Sequence, residues 1–166
     1  MALRNVVKQG DPILSKKCRE VPQVNEHYQT ILTDMLETMR QSEGVGIAGP
    51  QVGILRRMFV AEPEPGRVYY MVNPEITESS GEQECTEGCL SVPGYFGTVK
   101  RPEKIHIKAL DFAGNPVEYD FEGFDADVMC HENDHLDGIM FTDKAEEIHT
   151  VEEEAERREK EEEQDQ

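Results

Sequence analysis

Apolar residues recur at Tyr28, Ile31, Leu32, Met35, Leu36 and Met39, three or four positions apart, and this spacing predicts an amphipathic helix. Asn25 is a good N-cap for it, and Gly44 lies beyond its end. Met35 and Met39 belong to the buried stripe, while His27, in the opening turn, meets solvent or the cap. Ahead of this helix, Gly10-Asp11-Pro12 reads as a turn that lets Ile13 and Leu14 begin packing the N-terminal arm onto the core. Downstream the period changes to two. Short β runs are expected at Met58 to Ala61, Val68 to Val72, Thr98 to Lys100, Ile105 to Leu110 and Val117 to Phe121, parted by Pro and Gly. Asp111 to Pro116 reads as a hairpin loop, and His106, alternating with Ile105 and Ile107, faces outward. A last helix runs through Val128 and is stopped at Gly138. No internal repeat appears. The order implies an α+β fold with antiparallel β-sheets packed around a central helix.

That last helix carries His131-Glu132-Asn133-Asp134-His135. Histidines four apart lie on one face of a helix, so both imidazoles reach one cation and Glu132 lies beside it. Such a metal acts as a Lewis acid and acidifies a water, whose proton Glu132 can take and return. Glu87 to Gly94 reads as an irregular loop that folding could bring to this helix. If Cys89 joins His131 and His135, three protein ligands leave one open position, as a catalytic site requires. A structural zinc site would want a fourth ligand. Cys85, four before Cys89, and Cys130 are candidates, so that alternative stays open. Gly44 to Gly53 is dense in small residues that permit close backbone approach, and it lacks the Gly-Lys-Ser/Thr ending of a phosphate loop.

Composition narrows the partners. The 166 residues suffice for one domain with its own core, and 35 acids face 17 bases. Such a surface repels phosphate, which argues against DNA, RNA or anionic lipid as a main ligand. No apolar run reaches membrane-spanning length and no secretory segment follows Met1, so a cytoplasmic protein is expected. Four cysteines are too few for a secreted disulfide framework, and a reducing compartment keeps them available for metal.

Gly44-Val45-Gly46-Ile47-Ala48-Gly49-Pro50-Gln51, Glu87-Gly88-Cys89-Leu90-Ser91 and His131 to His135 stand in an order and at separations that resemble peptide deformylases. The resemblance covers roughly the first 145 residues. It implies a catalytic domain over 1–145, an acidic helical tail over 146–166, and removal of the formyl group from N-formyl-methionyl nascent chains with release of formate. It assigns Cys89, His131 and His135 as ligands of one divalent ion, Fe2+ in the cell, with Zn2+, Ni2+ or Co2+ possible in purified protein. It also implies a metal-activated hydroxide as nucleophile, with Glu132 as general base and acid. The Gln51 amide and the Leu90 backbone N–H would face the oxyanion. The peptide would add as a strand near Gly46, with Val45, Phe124 and Val128 lining the methionine pocket. Glu87 and Arg101 would form a buried ion pair bracing the ligand loop. A thiolate ligand makes the site oxidisable, so activity should decay in air and persist after nickel or cobalt exchange.

Three residues depart from the family pattern. Gly49 stands where alanine is usual and should loosen the loop carrying Gln51. Cys130 replaces a glutamine and reads as a small buried hydrophobe. Asp127, four before His131, reads as a water-exposed rim residue, the other reading being a carboxylate that alters substrate choice. The tail has eleven acids and three bases from Ala145 onward, with Glu153–Arg157, Glu154–Arg158 and Glu156–Lys160 pairs predicting a frayed, solubilising helix. Family members can dock on ribosomes through basic C-terminal helices. An acidic one is repelled by ribosomal RNA, so that docking is not expected here.

Overall fold

Asn25 does cap the first helix: its side chain accepts a hydrogen bond from the Tyr28 N–H, and α1 runs Glu26–Gln41. The computed structural model describes residues 2–164. After α1 the chain forms β1 (Gly46–Ala48), β2 (Met58–Glu64), β3 (Arg67–Ser80), β4 (Gln83–Cys89), β5 (Val92–Arg101), β6 (Lys104–Leu110) and β7 (Pro116–Glu122). It ends with α2 (Gly123–Leu136), α3 (Phe141–Lys144), β8 (Glu147–Thr150) and α4 (Val151–Gln164). All pairing between these strands is antiparallel, in one sheet ordered β1-β2-β3-β6-β7 and another ordered β4-β5-β8. The expected α+β class with sheets around a central helix is what the chain adopts.

Helix α2 sits between the sheets, and Ala126, Val128, Met129, Cys130 and Leu136 join Phe59, Met71, Ile107 and Phe121 in one apolar cluster. Full burial of each large side chain contributes about 1.5–3 kcal/mol, which fixes the helix firmly. Gly138 follows the helix in the left-handed region, φ 74°, and an added Cβ would lie 2.6 Å from the Ser15 carbonyl. On the other side of the larger sheet, Ile31, Leu32, Met35 and Met39 of α1 pack against Ile47, Met58, Val60 and Val72. A third cluster gathers Leu14, Val92, Val99, Met140 and Phe141. The turn at Asp11 takes the form of a 3-10 helix, Pro12–Ser15, capped by the Asp11 carboxylate.

Two stretches read as loops are strands. Residues 87–94, expected to be irregular, complete β4, turn at Leu90 and Ser91, and start β5. The inward positions of β4 include Cys85 and Glu87, and a buried carboxylate hides the apolar alternation. β1 consists of Gly, Ile and Ala, too short to show a period. β3 extends well past Val72 because Asn73, at φ 49°, makes an irregularity in the pairing. Its amide clamps Val21 by accepting from the N–H at 2.8 Å and donating to the C=O at 2.9 Å. Beyond it the polar run to Ser80 pairs with β6.

The last residues are more engaged than a solvated tail. The division at residue 145 leaves β8 on the tail side, and β8 pairs with β5 from Tyr95 to Thr98. At its end His149, which stacks on Phe96, contacts Glu154, and both are buried. Of the expected tail pairs, Glu154–Arg158 forms at 3.0 Å, while Arg157 instead approaches the His149 ring. No helix among the described residues is long and apolar enough to cross a membrane.

Candidate metal centre and its cleft

One ligand atom each of Cys89, His131 and His135 lies within 4.8 Å of the others. Helical spacing puts both imidazoles on one face of α2, their ring centroids 5.0 Å apart. The end of β4 delivers Cys89, whose Sγ is 3.5 Å from His135 Nε2. Cys85 is not part of this group. It clusters instead with Glu87 and Asp127, and Cys130 is buried in the α2 core as a small apolar residue. Among the described residues the three-donor set therefore gains no fourth cysteine.

The surroundings suit a cation. Glu87 Oε1 lies 2.7 Å from His131 Nδ1, which fixes the proton on that nitrogen and leaves Nε2 as the lone-pair donor. Arg101 holds Glu87 in turn by two hydrogen bonds of 2.7 and 2.8 Å, and both partners are almost fully buried. Arg101 also binds Asp134 at 2.5 Å, so one guanidinium ties β5 to β4 and α2. Burial opposes a charge on His131, yet Glu132, Cys89 and Glu87 together raise its affinity for a proton well above the ordinary range, and the same negative groups favour a metal cation at Nε2 in that proton's place. Burial, with the positive charge at His131 and Arg101, holds His135 well below it, so that ring is neutral as a ligand must be. Soft sulfur plus two imidazoles is a donor set for Zn2+ or a late first-row ion. Glu132 lines the same cleft as Cys89 and His131, with its Oε2 3.9 Å from His131 Nε2, and its buried Oε1 has no partner, which calls for a water or ion.

Glu132 is fully buried beneath β1, and burial pushes its carboxyl up to about 7. Gly46 is required there: a Cβ would lie 2.5 Å from Glu132 Oε2. Gln51, 1% exposed, accepts from the Ala48 N–H at 2.9 Å and directs its amide nitrogen to Ser91 Oγ at 3.1 Å and Cys89 Sγ at 3.5 Å. A cleft of about 290 Å³ opens over these groups, lined by Gly46, Gln51, Leu90 and Glu132 and, further out, by Tyr95 and Val151. Beside it a cavity of about 80 Å³ is lined by Val45, Phe124, Val128 and Asp127 together with His131 and Glu132. The sequence-derived ligand, pocket and donor residues thus converge on one region. β1 lies at the edge of its sheet, leaving one side of its backbone without a strand neighbour.

Two expectations need correction. Asp127 is not an exposed rim residue: it is 5% exposed, its Oδ1 lacks a hydrogen-bond partner, and Arg101 Nε is 3.9 Å away. Burial, with Glu87 close by, pushes its carboxyl up to about 8, while Arg101 and His131 hold Glu87 below the usual carboxylate range against its own burial. Nor does Gly49 sit in a loosened loop. A Cβ there would lie 2.6 Å from the Ile54 carbonyl and 2.8 Å from that of Arg56, so glycine allows a tight crossing of backbones. Ser91 and Asp134 were not singled out by sequence reasoning. Both lie inside quoted motifs; a carboxylate next to the ligand His135 was an available signal for Asp134, whereas the Ser91 hydroxyl carries none.

A family model described as "Polypeptide deformylase" matches residues 3–151. A peptide deformylase of Caldanaerobacter subterraneus subsp. tengcongensis is 50% identical over 144 residues, covering 87% of this chain and 90% of the relative. Peptide deformylase 1 of Clostridium perfringens is 51% identical over 146 residues, covering 86% and 98%. The crystal structure of peptide deformylase from Thermotoga maritima superposes with a TM-score of 0.86 at 35% identity, covering 89% of this chain and all of that one. A peptide deformylase from Ehrlichia chaffeensis, solved in complex with actinonin, gives 0.84 at 35% identity over 89% and 91%. With the family model spanning nearly the whole fold and relatives at half identity, the chain belongs to the polypeptide deformylase family, enzymes that remove N-terminal formyl groups.

Proposed function

We propose that this chain hydrolyses the formyl amide of N-formyl-methionyl peptides in the cytoplasm, using one divalent ion held by Cys89, His131 and His135, Fe2+ in the cell. The observation that carries the reading is that Cys89 and His131, grouped with His135 as three donors, line the same cleft as Glu132, which has one buried oxygen without a partner. When bound, the ion supplies Lewis acidity and lowers the pKa of a coordinated water. Glu132 takes the proton of the attacking water and returns it to the leaving amine nitrogen; general acid–base help of this kind is typically worth about 10²–10⁴ in rate. The Gln51 amide and the Leu90 N–H donate to the oxygen that becomes negative, each worth a few kcal/mol. The free side of β1 near Gly46 pairs with the extended peptide, which tolerates varied side chains after methionine. Val45, Phe124 and Val128 receive the methionine side chain, and Glu87 with Arg101 keeps His131 in its ligand tautomer.

Formate release from formyl-Met-Ala-Ser by anaerobically purified protein tests this, with acetyl-Met-Ala-Ser as comparison. Turnover of the formyl peptide at least about 10²-fold above the acetyl one is expected, since the cleft must exclude the added methyl. Equal turnover of both would make the chain a general amidase, and none with the metal present would remove the proposal.

A further inference from the structure

The acidic excess is unevenly spread over the surface, and one groove reverses it. A concavity of about 760 Å³ is lined by Lys16, Lys17, Arg19 and Arg56, with His27 and Tyr28 at its side. Among the described residues none of the four cations has a carboxylate within the 4.0 Å of an ion pair. No carboxylate lines the groove: Asp11, Glu20 and Glu62, the acids nearest to these cations in sequence, all lie outside it. Arg19 and Arg56 stand opposite each other on paired backbone segments, which brings two like charges to the same groove. Arg56 donates one hydrogen bond to the Glu20 carbonyl at 2.8 Å, which fixes its guanidinium at the rim. His27 and Tyr28 belong to the first turn of α1, so the positive end of that helix dipole adds to the field.

We propose that this groove binds the phosphodiester backbone of single-stranded RNA, without reading its sequence. At about 0.15 M ionic strength charges are screened within about 8 Å, so a strand lying in the groove feels the four cations that line it more than the acids outside it. A folded acidic partner would cover about 800 Å² on this side and meet the surrounding carboxylates, whereas one strand is narrow enough to avoid them. A lipid surface is disfavoured because none of the exposed large hydrophobics lines the groove. The groove shares no lining residue with the cleft over Glu132, so RNA held there leaves the cleft open.

The test is fluorescence anisotropy of a labelled twelve-nucleotide oligouridylate with the whole protein across a salt series. Neutralising four phosphates predicts log K falling with log salt at a slope of about −3, and about −1.5 for Lys16→Gln/Lys17→Gln, with formate release unchanged. Arg19→Gln, made separately, should weaken binding at every salt concentration. An unchanged slope in the double variant, no RNA binding at about 50 mM salt, or equal displacement by polyglutamate overturns the proposal. Binding of phosphatidylglycerol vesicles in place of the RNA, lost in the same variants, also overturns it in favour of a lipid partner.

Discussion

Asp127 shows how one residue can mislead a sequence reading. Its helical spacing from His131 places it on the metal side of α2, as expected, but spacing gives no burial, and the carboxyl lies shut in beside Glu87 and Cys85. Two buried carboxylates share one guanidinium at Arg101, and Glu87 holds it with both oxygens. Asp127 is left to keep its proton, its pKa raised to about 8 from 3.8. Because the folded value exceeds the unfolded one, its contribution is full below about pH 4 and is lost as pH rises through the folded value. Asp127→Asn keeps the shape and removes the titration. Urea unfolding should therefore show the variant gaining steadily on the wild type between pH 5 and pH 8, by on the order of a few kcal/mol, as the unfolded wild type alone sheds its Asp127 proton. A constant difference across that range would mean that Asp127 is ionised throughout. The motif residues were legible because their chemistry lies in type and spacing. Ser91, which meets the Gln51 amide, was not, since a buried hydroxyl in a hairpin turn carries no pattern.

At the scale of elements, helices were easier to read than strands. The α1 stripe and its cap are visible because one face is buried and the other wet. β4 and the first part of β5 escaped, though Thr98 to Lys100 was expected as a strand, because the hairpin's inner face carries Glu87 and Arg101, an ion pair that looks polar in sequence and is core in space. β6 illustrates the opposite case, with its alternation intact and His106 outward as expected. There His106 lies 2.7 Å from both Asp120 and Glu118 of β7, and Glu78 of β3 pairs with it across the other edge. Hydrogen bonds from Asp120 and then Glu118 raise its pKa above the usual value. The link these residues make between strands is thus full below about pH 6.5 and is lost as pH rises through the folded value. His106→Gln should lower the urea midpoint near pH 6 and have no effect near pH 9. An effect that grew with pH would contradict this assignment.

Over the whole molecule, the cleft is assembled from parts far apart in the chain. Gly46 comes from a sheet edge, Cys89 from the second sheet, Glu132 from the helix between them, and Val151 from the start of α4. Sequence order alone gave the partners but not the way β8 and α4 close the outer wall, because an acidic helix has no apolar period to announce its docking. Phe96 stacked on His149, and Glu154 buried beside that ring, hold the wall in place. The central claim is that the two functions of the site are separable: Cys89, His131 and His135 hold the ion, and Glu132 moves the proton. Metal content and formate release, measured together on anaerobically purified wild type and Glu132→Ala, test it most directly. One ion per chain in both proteins, with turnover at least about 10²-fold lower in the variant, is the predicted result. Loss of the ion along with activity, or turnover close to wild type, would contradict it.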